Sequence, residues 1–577
     1  MTLRDILRNA VRATANLLPT DVVCPRSLRR GGLDYVVLPI RGSYPERTVR
    51  RDPLPFPFNR LSLFPQEVSL ADVRAMAETI GNDRRVQGAV LRFDTLQASL
   101  SARYSLRRIL LDLRARGKRL IAWLPTANTW DYYLASACDA VVLPESGHLS
   151  VLGVRAEPVF LKDALALAGV EADLETIAEY KVTPDTFRRS TMSEPHREML
   201  DALLDSLFEE MVTAVAEGRE LGAAQVRELI DTMPLTASEA TEAGLIDAVL
   251  YEDELDTYLE LSTRLHTWHE AGRWLRKPIR WSTRQAIGVV PVEGLIVPGR
   301  SRRVPMPVPV PLPFGEAQAG AETIVGMLRR AEADKHIAAV VLHVETPGGS
   351  ALASDLICRE VERLRARKPV VALMGGQATS GGYYVSALAN RIVARPTTLT
   401  GSIGIWGGKF VLAGLHEKLG VHREPVQRGA MAGLYSEMLP FSEAERAWVR
   451  RDMGNTYARF KARVAEGRGL SDEQVEAIAR GRVWTGTQAL KLGLVDELGD
   501  FETALAAAKE LAGLKPEREY TVTEVHPPRH TLAPQPFPLP EGQTLSVSSL
   551  GTLLETLQGL ARERVWALAP WTIRVQG

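Results

Sequence analysis

Apolar and polar positions along the chain fall into two alternating regimes. Short continuous apolar runs, among them Ala338–Val344 (AAVVLHV), Pro369–Met374 and Arg391–Ala394, have the length expected of buried parallel strands. Between them, apolar residues recur at helical spacing. Ala351–Arg365 is predicted helical with Leu356, Val361 and Leu364 on one side, and another helix is predicted from Gly381 to about Asn390. Strands alternating with helices in this way predict an α/β fold.

The same order of elements occurs twice. VLRFDTLQASLSARYSLRRILLDLRARGKR in the early half answers VLHVETPGGSALASDLICREVERLRARKP in the late half, and NTWDYYLASACDAVV answers TSGGYYVSALANRIV. Leu91 matches Leu342, and Tyr132 and Tyr133 match Tyr383 and Tyr384, at an offset of 251 residues (342 − 91). Near the end of each unit Gly244 matches Gly493, at 249 (493 − 244). Agreement over more than 200 residues with small gaps indicates a tandem repeat. The division expected is a basic N-terminal arm (1–32), a first repeat (33–265), a connector (266–284), a second repeat (285–516) and a C-terminal extension (517–577). The Pro-rich stretch Arg300–Phe314 suits an extended, exposed rim. The extension ends in TLLETLQGLARERVWALAPW, which has helical amphipathic spacing.

A chain of 577 residues exceeds one core, which agrees with two units. Lys+Arg and Asp+Glu both number 70, so charge gives no footprint for a nucleic-acid partner. Cys24, Cys138 and Cys358 are far apart, so neither a disulfide framework nor a zinc site is expected. His266 and His269 lack an acidic third ligand at recognisable spacing; no metal and no cofactor are expected. No run approaches the ~18 apolar residues of a membrane span. The N-terminal MTLRDILRNAVRATANLLPT, broken by Arg4, Asp5, Arg8 and Arg12, is no secretory leader. A cytoplasmic or peripheral membrane location is therefore expected. That basic amphipathic segment is a candidate for peripheral membrane contact, against the plainer reading of a solvated arm.

Chemistry concentrates at two glycine-rich strand ends of the second unit. In GGQATSGGYY (Gly375–Tyr384), Ser380 stands where a strand meets a helix. Helix N-terminal N–H groups there can stabilise an oxyanion, and Gly381 and Gly382 leave room for a substrate backbone. ETPGGS (Glu345–Ser350) ends the neighbouring strand, so Gly348 and Gly349 share its crevice. By itself a serine before two glycines reads equally well as a helix cap. A nucleophilic serine also needs a base, and no histidine is placed for it; His343 reads as a packed strand residue. The repeat supplies an alternative. The first unit has Thr129, Trp130 and Asp131 at the serine-glycine positions and DTLQA for ETPGG, but it carries Lys181 in AEYK. The corresponding QRGAMAGLYSEM of the second unit has no lysine. One unit keeps a serine and the other a lysine, which points to a composite site.

ETPGGS, ATSGGYY, TLTGSIG, EYKVTPDTF and RVWTGTQALKLGLVDELG resemble the signal peptide peptidase A family in its long tandem form, from about Leu33 to Leu511. The resemblance implies two ClpP/crotonase-like units, the first degenerate. It implies Ser380 as nucleophile, Lys181 as general base, Ser402 as the serine that hydrogen-bonds the lysine, and Gly381 with the Gly348–Gly349 loop at the oxyanion. It further implies a bowl-like homotetramer that cuts hydrophobic peptides such as signal-peptide remnants. The chain departs from the long form in showing no N-terminal transmembrane helix. Two other readings stand beside the Ser-Lys endopeptidase: a decayed scaffold or peptide-binding protein, and a crotonase-type acyl-CoA enzyme.

Overall fold

The computed structural model describes residues 9–10, 12–13, 33–48, 67–261, 264–278, 283–303, 317–527 and 565–568. Each repeat wraps helices around a largely parallel sheet. The first sheet runs His266–Thr267, Tyr35–Gly42, Gly88–Leu96, Arg119–Trp123, Ala140–Leu143, Ala248–Val249. The second runs Thr521–Glu524, Ala286–Glu293, Ile337–Thr346, Val370–Thr379, Leu399–Gly401, Val483–Thr485, with Arg391–Ala394 also beside Val370–Thr379. Tyr35–Gly42 and Ala286–Glu293 hold the same place in their sheets, as do Arg119–Trp123 and Val370–Thr379. His266–Thr267, read from sequence as connector, pairs with Tyr35–Gly42, and Thr521–Glu524 of the extension pairs with Ala286–Glu293.

The central strands are apolar throughout because both faces are covered. Val340, Leu342, Val344, Val370, Ala372 and Met374 pack with Ile357, Val361 and Leu364 of the helix Ala351–Arg365. Ala339, Val341, Val371 and Leu373 meet Phe501, Leu505 and Ala508 from the opposite side. Leu356, expected on the inner side of that helix, is 51% exposed; the buried stripe runs one position later, through Ile357 and Cys358. The helix from Gly381 ends at Ser386, short of Asn390, and the strand before it continues past Met374 to Thr379.

A third sheet crosses between the repeats. Its order is Arg302–Arg303, Ala317–Gly320, Leu295–Val297, Gly348–Ser350, Val565–Leu568, Trp406–Val411, Glu171–Thr176. Glu171–Thr176 of the first repeat pairs antiparallel with Trp406–Val411 of the second over six registered positions. Arg446 reaches the carboxylates of Asp173 and Glu175 across the same seam. Val565–Leu568 is a strand and not part of the helix suggested by its amphipathic spacing. Two flanking strands receive it, and such pairing outweighs local periodicity in Val- and Trp-bearing segments. The N-terminal amphipathic segment lies almost wholly outside the described residues, as does most of the Pro-rich rim. Among the described residues no helix is long and apolar enough to cross a membrane.

Candidate active site

The loop residues that precede Ser380 are set by a bulge. Val344 pairs with Met374 and Thr346 with Ala378, so three residues bulge against one. The Glu345 carboxylate fills the bulge and accepts from the N–H groups of Gly376 (2.6 Å) and Gln377 (3.1 Å). Burial raises the Glu345 pKa, partly offset by those two N–H groups. A Cβ at Gly375 would lie 1.9 Å from Glu345 Oε2, so any side chain there would have to displace that carboxylate.

Ser380 follows with φ 55° and ψ −110°, a conformation that costs an L-residue of the order of 1–3 kcal/mol. It is held by its N–H donating to Gly401 O (2.7 Å) and by its carbonyl accepting from Tyr384 N–H (2.8 Å). Its side chain is fully buried. Behind it, Gly381 opens the helix, where an N–H has no intrahelical acceptor. A Cβ on Gly381 would meet Ser354 Oγ at 2.6 Å and Gly348 Cα and Gly349 N at 3.2 Å, so the two glycine loops are in contact. The N–H of Gly348 donates to Thr346 Oγ1 (3.0 Å). Gly348 and Gly349 take φ of 104° and 156°, and a Cβ on Gly349 would sit 2.0 Å from Ile296 O.

Lys181 reaches this serine from the first repeat. Its Nζ lies 2.6 Å from Ser380 Oγ, 3.0 Å from Ser402 Oγ and 3.1 Å from Ser402 O. The residue is 1% exposed, and desolvation holds its pKa well below the ordinary lysine value of 10.5. A neutral amine has two N–H groups and one lone pair. The two N–H groups match the Ser402 oxygens, which leaves the lone pair for the Ser380 hydroxyl. The backbone around Lys181 is fixed by the second repeat: Ile177 N–H donates to Ile405 O and Tyr180 N–H to Arg480 O. A Cβ on Gly481 would lie 2.4 Å from Lys181 N. Val182 packs with Leu399, Val483, Met199 and Leu203. Ser380, Lys181, Ser402, Gly381, Gly348 and Gly349 are thus neighbours, although Lys181 and Ser380 are 199 residues apart.

Residues that sequence reasoning missed support this cluster. Arg395, 2% exposed, donates to Met374 O (2.8 Å) and Ser105 Oγ (3.2 Å), and pairs with Glu46, so it ties both repeats to the strand before Ser380. Ser354 Oγ, beside Gly381, donates to Ser350 O (2.8 Å). His343 lies buried on its strand, 3.8 Å from Glu293.

The geometry is accompanied by relatedness. The model of peptidase family S49 matches twice, at residues 112–265 and 362–515, just over half the chain. This chain belongs to peptidase family S49. S49 relatives with curated names include the chloroplastic serine protease SPPA of Arabidopsis thaliana, 31% identical over 78% of this chain and 67% of its own length. Protease 4 of Haemophilus influenzae is 30% identical (78% and 74%), and Protease 4 of Salmonella typhi 31% identical (78% and 73%). A solved structure, a point mutant of ClpP1 from Listeria monocytogenes, aligns with 31% of this chain and 85% of its own at 17% identity; the TM-score of 0.22 is too low to bear on the fold. The S49 chain is an α/β serine peptidase made of two tandem family units, the first having lost the serine and glycines that the second retains.

Proposed function

We propose that Ser380 and Lys181 form a Ser-Lys dyad for endopeptidase chemistry by an acyl-enzyme route. The observation that carries the reading is the 2.6 Å approach of a fully buried lysine amine to the serine hydroxyl. Lys181, neutral through desolvation, takes the proton as Ser380 Oγ attacks the peptide carbonyl. In this reading the backbone of Gly381 and the adjoining Gly349 serves the developing oxyanion, while the N–H of Gly348 is committed to Thr346 and shapes the loop. The lysine ammonium then protonates the leaving amine, Ser402 orienting it throughout. Water, deprotonated by the regenerated amine, releases the acyl group. In this reading the unit 33–265 supplies the base and the unit 285–516 the nucleophile.

Substrates in this reading are extended apolar peptides, such as signal-peptide remnants, bound as an added strand along Gly348–Ser350. Assembly as a homotetramer is part of the same proposal. Leu167 and Leu419, 80% and 67% exposed, offer apolar area for it where Gly169 meets Gly414. The test is hydrolysis of an apolar fluorogenic peptide panel, with fluorophosphonate labelling, by wild type, Ser380→Ala and Lys181→Ala. Loss of cleavage in both folded variants supports the dyad. Full activity in Lys181→Ala removes the lysine from the mechanism. Wild type that neither cleaves nor labels brings forward the decayed-scaffold reading.

A further inference from the structure

The strand Val565–Leu568 lies in the one slot that a peptide substrate would need. On one side it runs antiparallel to Gly348–Ser350, with Leu568 opposite Gly348, Ala567 opposite Gly349 and Trp566 opposite Ser350. On the other it runs antiparallel to Trp406–Val411, with Trp566 opposite Trp406 and Val565 opposite Gly407. Among the described residues these two strands are joined only through it in the sheet order. Remove it and two backbone edges face each other across the width of one strand, roughly 10 Å, which is a receptor for an extended chain.

The register makes the slot chemically significant. Gly348 and Gly349 touch Gly381, the residue after Ser380. The Leu568 end of the inserted strand is therefore the end nearest the nucleophile, and Ala567 faces the glycine whose N–H is a proposed oxyanion donor. The 37 residues 528–564 separate it from Pro527, just past the last strand of the second sheet. Extended at about 3.3 Å each, they span over 100 Å, so the strand is within reach of its own chain's cleft.

We infer that Val565–Leu568 is a tethered occupant of the substrate cleft, which an incoming peptide has to displace. The inference rests on the Ser-Lys peptidase reading. Carried on the same chain, the strand acts at an effective concentration of the order of millimolar. A strand whose dissociation constant is about a tenth of that effective concentration raises the apparent KM about tenfold and leaves kcat almost unchanged. Because the competition is intramolecular, dilution of the protein does not relieve it.

The experiment compares the full chain, Ala567→Pro and a variant lacking 565–577, using an apolar fluorogenic peptide and a fluorophosphonate label. Proline removes an N–H and cannot be accommodated in a strand flanked on both sides. Circular dichroism checks folding, and the deletion covers a misfolded proline variant. The expected result is an about tenfold lower KM in both variants at unchanged kcat. A synthetic peptide of residues 561–577 should inhibit the deletion variant competitively and the full chain far less. Equal KM values in all three proteins, with no inhibition by the peptide while Ser380 labels and cleaves, overturn the inference and leave the peptidase reading standing. Absence of labelling and cleavage in all three removes both.

Discussion

Arg103 donates its guanidinium to the carboxylate of Asp131 in the first unit, at the two positions that Ser354 and Gly382 hold in the second. The same guanidinium donates to Leu96 O (3.0 Å) and, through Nε, to Ala98 O (3.1 Å), the loop equivalent to the Gly348 turn. An ion pair has been built into the space of the lost site. Thr129, at the serine position, is fully buried and its hydroxyl accepts from Leu152 N–H (3.0 Å).

Restoring the serine alone should therefore not restore chemistry. In a Ser380→Ala background, Thr129→Ser is expected to give no fluorophosphonate adduct, as read by mass spectrometry. Arg103→Ala should destabilise by about 3 kcal/mol in urea unfolding, because it leaves Asp131 buried and unpaired. The double variant Arg103→Met/Asp131→Asn should recover most of that loss.

Lys181 links activity to pH. The proposed base is neutral only above its depressed pKa, so kcat/KM should rise with pH along a limb of unit slope whose midpoint lies well below 10.5. Ser402→Ala removes an oxygen that favours the ammonium more than the amine. It should lower kcat about tenfold and move that limb to lower pH. A merely structural role for Ser402 would leave the limb where it is.

The same lysine should weaken the fold near neutrality. Between its folded pKa and the ordinary value of 10.5, the unfolded chain binds a proton that the folded chain does not, so stability rises with pH across that window. Lys181→Met should be more stable than wild type at pH 7, and its advantage should vanish as pH approaches 10.5. Denaturant midpoints at several pH values decide this; a constant difference would mean that the amine is not neutral in the fold.

Gly381→Ala should lower kcat about a hundredfold with a small change in KM, since the new methyl forces apart the glycine loops proposed to carry the oxyanion donors. Its nearest obstruction is Ser354 Oγ at 2.6 Å, so adding Ser354→Ala should restore part of the rate. Steady-state kinetics on the single and double variants measure the recovery.

Arg395→Met should cost about 3 kcal/mol, because it leaves the buried Glu46 only the longer 3.9 Å ion pair to Arg74. Arg395→Met/Glu46→Gln should be milder. Chemical denaturation of the four proteins of the cycle gives the coupling.

The repeat, the strand ends and the serine–lysine division are legible because they depend on local apolar runs and on residue identity at a constant offset. Leu356 misleads because Ala351–Arg365 offers apolar residues on adjacent stripes, and only the sheet beneath chooses Ile357. The positive φ of Ser380 has no sequence signal, for no glycine marks it. Arg395–Glu46 joins positions 349 residues apart, which no periodicity reports. The plug at Arg103 is within reach, since the offset that aligns Thr129 with Ser380 also sets Arg103 against Ser354. Val565–Leu568 is out of reach: its strand character belongs to the two edges that receive it.

The seam between Glu171–Thr176 and Trp406–Val411 also orders events in time. A ribosome completes the half with the lysine long before it reaches the strand that seats it. On the proposed chemistry, the nascent first unit carries a base with nothing to activate, and the second emerges with a nucleophile already met by its partner. No chain translated only through its first unit is a loose protease, and proteolytic competence waits until the second unit has been made.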